Sequence, residues 1–177
     1  MSRSRTITWE DPLQTFAEAG GMSGLDYLRA IGEGRLPSAP IAQLMGFDGL
    51  EAEEGRVVFA ALPDEYHYNP IGVVHGGLAL TLLDSAMGCA VHSMLPPGAG
   101  YTTLEVKVNF ARAITRDTGR IVCEGTVVHP GRTVATAEGR VIAEGTGKLL
   151  AHGTSTCLIV SPNGTAPVKR RRPSSTL

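Results

Sequence analysis

Aromatic residues and cysteines are scarce in this sequence. Aromatics make up 5% of the 177 residues, so the core has to be built mainly from aliphatic side chains. The three cysteines, Cys89, Cys123 and Cys157, stand far apart and form no CxxC pair. This excludes a disulfide framework and a cysteine-rich zinc site, and it is typical of reduced thiols. We therefore expect a cytoplasmic protein.

The sequence also lacks a charge bias and a long apolar run. Lys and Arg number 16 against 17 Asp and Glu, which gives a formal net charge of -1 and predicts no nucleic-acid partner. The longest apolar stretch, from about Leu78 to Met94, contains Asp84 and His92 and is too short to cross a bilayer. The first residues contain no apolar segment of a secretory signal, so we expect no membrane partner.

Glycine and proline divide the chain into three parts. Residues 1–35 predict short helices, with Asp11 and Ser23 as N-terminal caps. Residues 36–160 carry the strand patterns and one long helix, and they predict a single domain. Residues 161–177 are rich in Pro, Ser and Thr and hold the basic run Lys169–Arg172, which predicts a disordered basic tail.

The long helix is predicted from Gly76 to about Met94, where two prolines end it. It is apolar around most of its circumference, which indicates a buried helix. Asp84 interrupts this apolar surface. A carboxylate there costs several kcal/mol unless it is paired, hydrogen-bonded or hydrated. Asp84 is therefore the main candidate for a chemical role.

Strand patterns lie on both sides of this helix. A β-branched run at 56–62 predicts the first strand, and four later segments predict a four-stranded antiparallel meander, at 101–112, 120–129, 133–143 and 148–160. Alternation in the first of these four predicts that Leu104, Val106, Val108 and Phe110 face the core and that Thr103 faces away. The simplest arrangement is an α+β fold in which a curved antiparallel sheet wraps around one long central helix.

The segment Asn69-Pro70-Ile71-Gly72-Val73-Val74-His75-Gly76-Gly77, followed by Asp84, resembles the signature of hotdog-fold acyl-CoA thioesterases of the phenylacetate-degradation (PaaI-like) type. The resemblance runs from about Leu36 to Val160 and leaves the short N-terminal helices outside. It implies a sheet order of 1-3-4-5-2 and a homodimer with sheets paired edge to edge, often assembled into a homotetramer. The implied reaction is hydrolysis of an aryl-, phenylacetyl- or medium-chain acyl-CoA to a carboxylic acid and free CoA, with no metal or other cofactor.

The same resemblance implies roles for single residues. Asn69 and the Gly76 N–H would bind the thioester oxygen, a role that suits the positive end of a helix dipole. Asp84 would be the general base or the nucleophile, and His75 would lie beside the site. Thr103 would be supplied by the neighbouring subunit and would help to position water. Its alternation with Leu104, however, points its side chain away from the core.

Substrate-binding candidates come from the same comparison. Gly77 would let the substrate approach the start of the helix. Gly131-Arg132-Thr133, at a turn, could hold a CoA phosphate through backbone N–H groups and a guanidinium, and Arg112 is a second candidate. Solvated surface arginines are the alternative for both.

Two other functions stay open on the sequence. A non-catalytic hotdog protein could bind acyl-CoA as a sensor or a structural subunit, and a hotdog dehydratase is a third possibility that the motif disfavours. The N-terminal helices supply no basic recognition helix of a DNA-binding regulator. Because the chain keeps Asp84 together with Asn69 and Gly76, the sequence favours the enzyme.

Overall fold

The computed structural model describes residues 2–160, in which a six-stranded antiparallel sheet packs around one long helix. The helices are α1 (Pro12–Glu18), α2 (Gly24–Gly32), α3 (Pro40–Met45) and α4 (Gly76–His92). The strands are β1 (Phe47–Glu53), β2 (Arg56–Ala61), β3 (Gly100–Phe110), β4 (Ile121–His129), β5 (Val134–Ala143) and β6 (Leu149–Val160). The predicted tail 161–177, with its basic run, lies outside the described residues.

The N-terminal helices begin at the predicted caps. The Asp11 side chain accepts a hydrogen bond from the Leu13 N–H, and the Ser23 side chain accepts one from the Asp26 N–H. Helix α2 packs closely against the end of α4. A side chain at Gly24 would overlap the His92 carbonyl oxygen, so only glycine allows this approach. Helix α2 is thereby placed against the domain that follows it.

The sheet has the strand order β1-β2-β4-β5-β6-β3. Without β1, this is the 1-3-4-5-2 order that the resemblance implies. Two expectations are corrected. Strand β1 was not predicted, and the residues after α4 do not form a four-stranded meander, since only β4, β5 and β6 follow one another. Strand β3 instead lies at the far edge, where it pairs with β6.

Two β-bulges explain why the strand pattern misleads. The register shifts between Asp48 and Glu51 in β1 and between Thr103 and Glu105 in β3. A bulge adds one residue to a strand and so reverses the alternation beyond it. The prediction that Leu104 faces the core is therefore wrong, because Leu104 is 56% exposed. Val106 and Val108 pack against the core as predicted. Phe110, at the end of the strand, is 59% exposed and lies beside Gly76 at the start of α4. Thr103 is half-buried.

The backbone of helix α4 lies in contact with the backbone of the sheet. Its apolar side chains are buried: Leu78, Ala79, Leu82, Leu83, Ala86, Met87, Ala90 and Val91. A side chain at Gly125, on β4, would overlap the backbone of Ala86 and Met87. Glycine is required there by close approach rather than by its own backbone angles.

Gly125→Ala should lower the free energy of unfolding by about 1–3 kcal/mol or more, because backbone cannot move aside as a flexible side chain can. Urea unfolding measures the change in midpoint. Gly145→Ala is the matched control, since a Cβ at Gly145 meets nothing within 4 Å. Equal midpoints for the two variants would contradict the packing described here.

Candidate active site

The start of α4 presents an unused hydrogen-bond donor. His75 caps the helix, and its Nδ1 accepts the Gly77 N–H at 2.8 Å. The His75 N–H itself donates to the His67 carbonyl at 2.7 Å. None of the hydrogen bonds found among the described residues uses the N–H of Gly76. This N–H lies at the positive end of the helix dipole, where it can bind developing negative charge.

Asn69 lies in the loop before α4 with its side chain held in place. Its Oδ1 accepts hydrogen bonds from the N–H groups of Ile71, at 3.1 Å, and Val73, at 3.4 Å. Because the oxygen is occupied by these donors, the Nδ2 group is left to donate elsewhere. Asn69, His75 and Gly77 line one cavity of about 560 Å³. Gly76 lines the neighbouring cavity, which shares His75 and Gly77 with this one, so the two sequence-predicted oxyanion residues lie in adjoining cavities.

His67 fastens this loop to the end of α3. Its Nε2 lies 3.0 Å from the Met45 carbonyl, and its Nδ1 accepts the Asp64 N–H at 3.0 Å. The ring must therefore be neutral, with the proton on Nε2. Burial lowers the pKa of His67 below its usual value. Burial also lowers the pKa of His92, whose Nδ1 has no partner among the described residues.

These histidines predict a loss of stability in mild acid. A histidine with a lowered pKa in the folded state stabilises the fold above the unfolded pKa of about 6.5, and this stability is lost as pH falls through the folded pKa. His67→Gln should lower the melting temperature at neutral pH, but the variant should lose less on going to about pH 5. His152→Gln, at an exposed strand position, is the control. An unchanged pH dependence in His67→Gln would contradict this account.

Asp84 and Thr103 form a second cluster. The Thr103 hydroxyl donates to Asp84 Oδ1 at 3.0 Å within one chain, so the expectation that Thr103 is supplied to this carboxylate by a neighbouring subunit is corrected. The β3 bulge explains the contact, since it lets Thr103 face inward while Leu104 faces out. Asp84 is half-buried, so one hydrogen bond and partial hydration offset the cost of placing its charge there.

The groups around this pair stay protonated at neutral pH. Gly88 leaves room for the Tyr101 ring, whose Cζ would lie 2.8 Å from an added Cβ. Burial raises the pKa of Tyr101 well above its usual value and raises the pKa of the Cys89 thiol to about 12. A thiol with a raised pKa is a poor nucleophile. Cys89 is therefore not a candidate nucleophile beside the carboxylate–hydroxyl pair.

The other predicted residues are divided between the two ends of α4. Arg112 lines a second cavity of about 580 Å³ beside His75, Gly76 and Gly77, and its Nη1 donates to the Leu149 carbonyl at 2.6 Å. Residues 131–133 lie at the opposite end of the helix, where Gly131 shares a crevice with the end of α4. Within one chain, the structure does not bring them to the start of α4.

Two residues that line the Asn69 cavity, Arg5 and Ile7, were not predicted from the sequence. Ile7 is an isolated apolar residue in a polar stretch, and a single such residue carries no periodic signal. Between residues 2 and 160, no three His, Cys, Asp or Glu side chains are grouped as a metal site would require. No helix in the same range is long and apolar enough to cross a membrane.

Comparison with known proteins places similarities on the helix and the strands that follow it. Residues 71–150 match the family model described as the thioesterase superfamily. The match includes the start of α4, Asp84, Thr103 and the turn at 131–133, but it excludes Asn69 and the N-terminal helices.

Three proteins similar to this chain have informative names. A Halobacterium salinarum protein whose name suggests an esterase is 35% identical over an alignment of 103 residues. The match covers 54% of this chain and 66% of that protein, just under two thirds of its length. A phenylacetic acid degradation-related protein from Ralstonia eutropha has 26% identity and a TM-score of 0.66, and the match covers 75% of this chain and 98% of that one. A Streptococcus mutans protein solved with acetyl CoA bound has 25% identity and a TM-score of 0.59, with coverage of 66% and 90%. At the level of the family, these likenesses support a thioester hydrolase.

Proposed function

We propose that this protein is an acyl-CoA thioesterase that hydrolyses an acyl-CoA to a carboxylic acid and free CoA. The observation that carries the proposal is the pair of unused donors before and at the start of α4, the Gly76 N–H and the Asn69 Nδ2. An oxyanion site needs donors that are already oriented before charge develops. Hydrogen bonds from Ile71 and Val73 provide that orientation for Asn69.

The chemistry then divides between the two clusters. Asp84, held by the Thr103 hydroxyl, takes a proton from water, and the resulting hydroxide bonds to the thioester carbon. The negative charge on the former carbonyl oxygen is held by Gly76 and Asn69. As the C–S bond breaks, the CoA thiolate receives the proton. In the alternative route, the Asp84 carboxylate attacks the same carbon and the C–S bond breaks, which releases the CoA thiolate and leaves a mixed anhydride. Water then hydrolyses the anhydride, which regenerates the Asp84 carboxylate, releases the carboxylic acid and supplies the proton that the thiolate takes up.

One chain cannot supply both clusters to the same thioester. Asp84 lies eight residues after Gly76 on one helix, a separation of about 12 Å along its axis, whereas reacting atoms must come within about 3.5 Å. Strand β3 is an edge of the sheet, with Leu104 and Phe110 exposed on it. A two-fold axis through this edge would reverse the helix in the partner. The partner subunit's Gly76 and Asn69 would thereby approach Asp84, which is why we propose a homodimer as the smallest active form.

Asp84→Asn should lower kcat by about 10² to 10⁴. The variant should stay folded, because an asparagine oxygen can still accept the Thr103 hydrogen bond. Released thiol, measured over a panel of acyl-CoAs, gives kcat, and calorimetry with a thioether analogue gives binding. Asp117→Asn, at an exposed position, is the control. A wild-type kcat in Asp84→Asn would remove this carboxylate from the mechanism. Wild-type protein that binds the analogue without turnover would be a non-catalytic acyl-CoA-binding protein.

Mixed dimers test the shared site. Asp84→Asn and Asn69→Ala homodimers should each be nearly inactive, since each lacks one half of every site. Random mixing of the two variants should restore about a quarter of the wild-type activity, because half of the dimers are mixed and each has one intact site. Light scattering should find a dimer or a multiple of it. No recovery on mixing, or an active monomer, would contradict the proposal.

A further inference from the structure

The segment before α1 forms part of the cavity that contains Asn69. Residues 2–10 have no helix or strand, and all are exposed except Ile7, which is half-buried. Ile7 and Arg5 line the cavity together with α3 and with the loop that precedes α4. An unstructured segment with one partly buried apolar residue is placed by that residue and by its anchors.

Arg5 is the main anchor of this segment. Its guanidinium donates to the carbonyls of Gln43, at 3.1 Å, and Leu44, at 3.0 Å, in the last turn of α3, where a cation is favoured. The same group lies 4.0 Å from the centroid of the Tyr66 ring, close enough for a cation–π contact. Arg3 adds an ion pair with Glu65. These contacts keep Ile7 over the cavity.

The lining of this cavity suits an uncharged, apolar group. Its members are mainly apolar or aromatic and include no carboxylate: Arg5, Ile7, Leu44, Met45, Tyr66, His67, Tyr68, Asn69, Pro70, His75, Gly77 and Leu78. Two of the five N–H donors of Arg5 bond to carbonyls of α3, and its guanidinium lies over the Tyr66 ring. The rest of this lining is mainly apolar, and an apolar acyl group needs no charged partner there. A volume of about 560 Å³ is within the range of small-molecule sites.

A thioester has two arms, and two cavities meet at the start of α4, where both include His75 and Gly77. The cavity beside Arg112 is lined only by residues within the family match at 71–150. Its guanidinium makes one side-chain hydrogen bond among the described residues and keeps donors for a phosphate. The Ile7 cavity is lined mostly by residues outside that match. The shared part of acyl-CoA substrates, the CoA arm, fits the first cavity, and the variable arm fits the second.

We infer that the Ile7 cavity is the acyl pocket and that the N-terminal segment, through Ile7, limits the length of the acyl group that fits. This inference rests on the proposed thioesterase function and names the substrate class as uncharged, apolar acyl-CoA. Ile7 is a specificity-determining residue that acts on the acyl end of the substrate and not on the reacting carbon.

The test compares Ile7→Ala and Ile7→Phe with the wild type on straight-chain acyl-CoAs from acetyl to dodecanoyl. Ile7→Ala should raise the ratio of kcat/KM for long chains to that for short chains by about tenfold or more, and Ile7→Phe should lower it, because one methylene in an apolar pocket changes selectivity by about 10- to 200-fold. Leu13→Ala, 77% exposed and outside the cavity lining, should leave the ratio unchanged. Melting temperatures show that all variants are folded.

Binding of non-hydrolysable thioether analogues, measured by calorimetry over the same chain lengths, separates this inference from the catalytic one. Without turnover, a length-dependent change in affinity in the Ile7 variants would still support the acyl pocket, and only the catalytic proposal would fail. With normal turnover and an unchanged length ratio, the acyl pocket would be wrong and the thioesterase would stand. A uniform change at every chain length would place the CoA arm in this cavity and overturn the inference. Failure to bind any analogue would overturn both.

Discussion

The backbone contact between α4 and β4 at Gly125 is the constraint on which the rest of the structure depends. A helix that lies this close to a sheet cannot shift or rotate without moving the sheet itself. The positions of its first N–H groups and of Asp84 are therefore set by the strands. The loop containing Asn69 is tied in turn to this helix start through the His75 N–H and the His67 carbonyl. A preorganised site needs rigid support of this kind.

The bulge in β3 is the second element on which the site depends. Without the extra residue, strand alternation would turn Thr103 to the outside and bring Leu104 against the polar face of α4. The half-buried Asp84 carboxylate would then lose its hydroxyl partner and would cost more to bury. An irregularity in one edge strand thus makes a carboxylate tolerable on an otherwise apolar helix.

Local rules predicted a large part of this fold. The caps Asp11 and Ser23, the buried helix from Gly76 and the strand segments follow from short-range preferences, and all are observed. The bulges could not be predicted from the sequence, because a single extra residue has no local sequence signature and its position is set by the neighbouring strand. Strand β1 was not predicted, because it contains one of these bulges and because its acidic residues disfavour strands.

The candidate site divides in the same way. The motif from Asn69 to Gly77 is contiguous, so a sequence can reveal it. The Thr103–Asp84 contact and the cavity lined by Ile7 instead join segments that lie far apart in the chain. Such contacts are properties of the fold rather than of any segment.

The oxyanion donors and the Asp84 carboxylate lie far apart along α4. Under the proposed mechanism, a single chain whose donors and carboxylate lie this far apart cannot hydrolyse a thioester, so the assembly proposed through β3 would couple folding of the edge strand to activity. Catalysis would then begin only when a second sheet covers that edge.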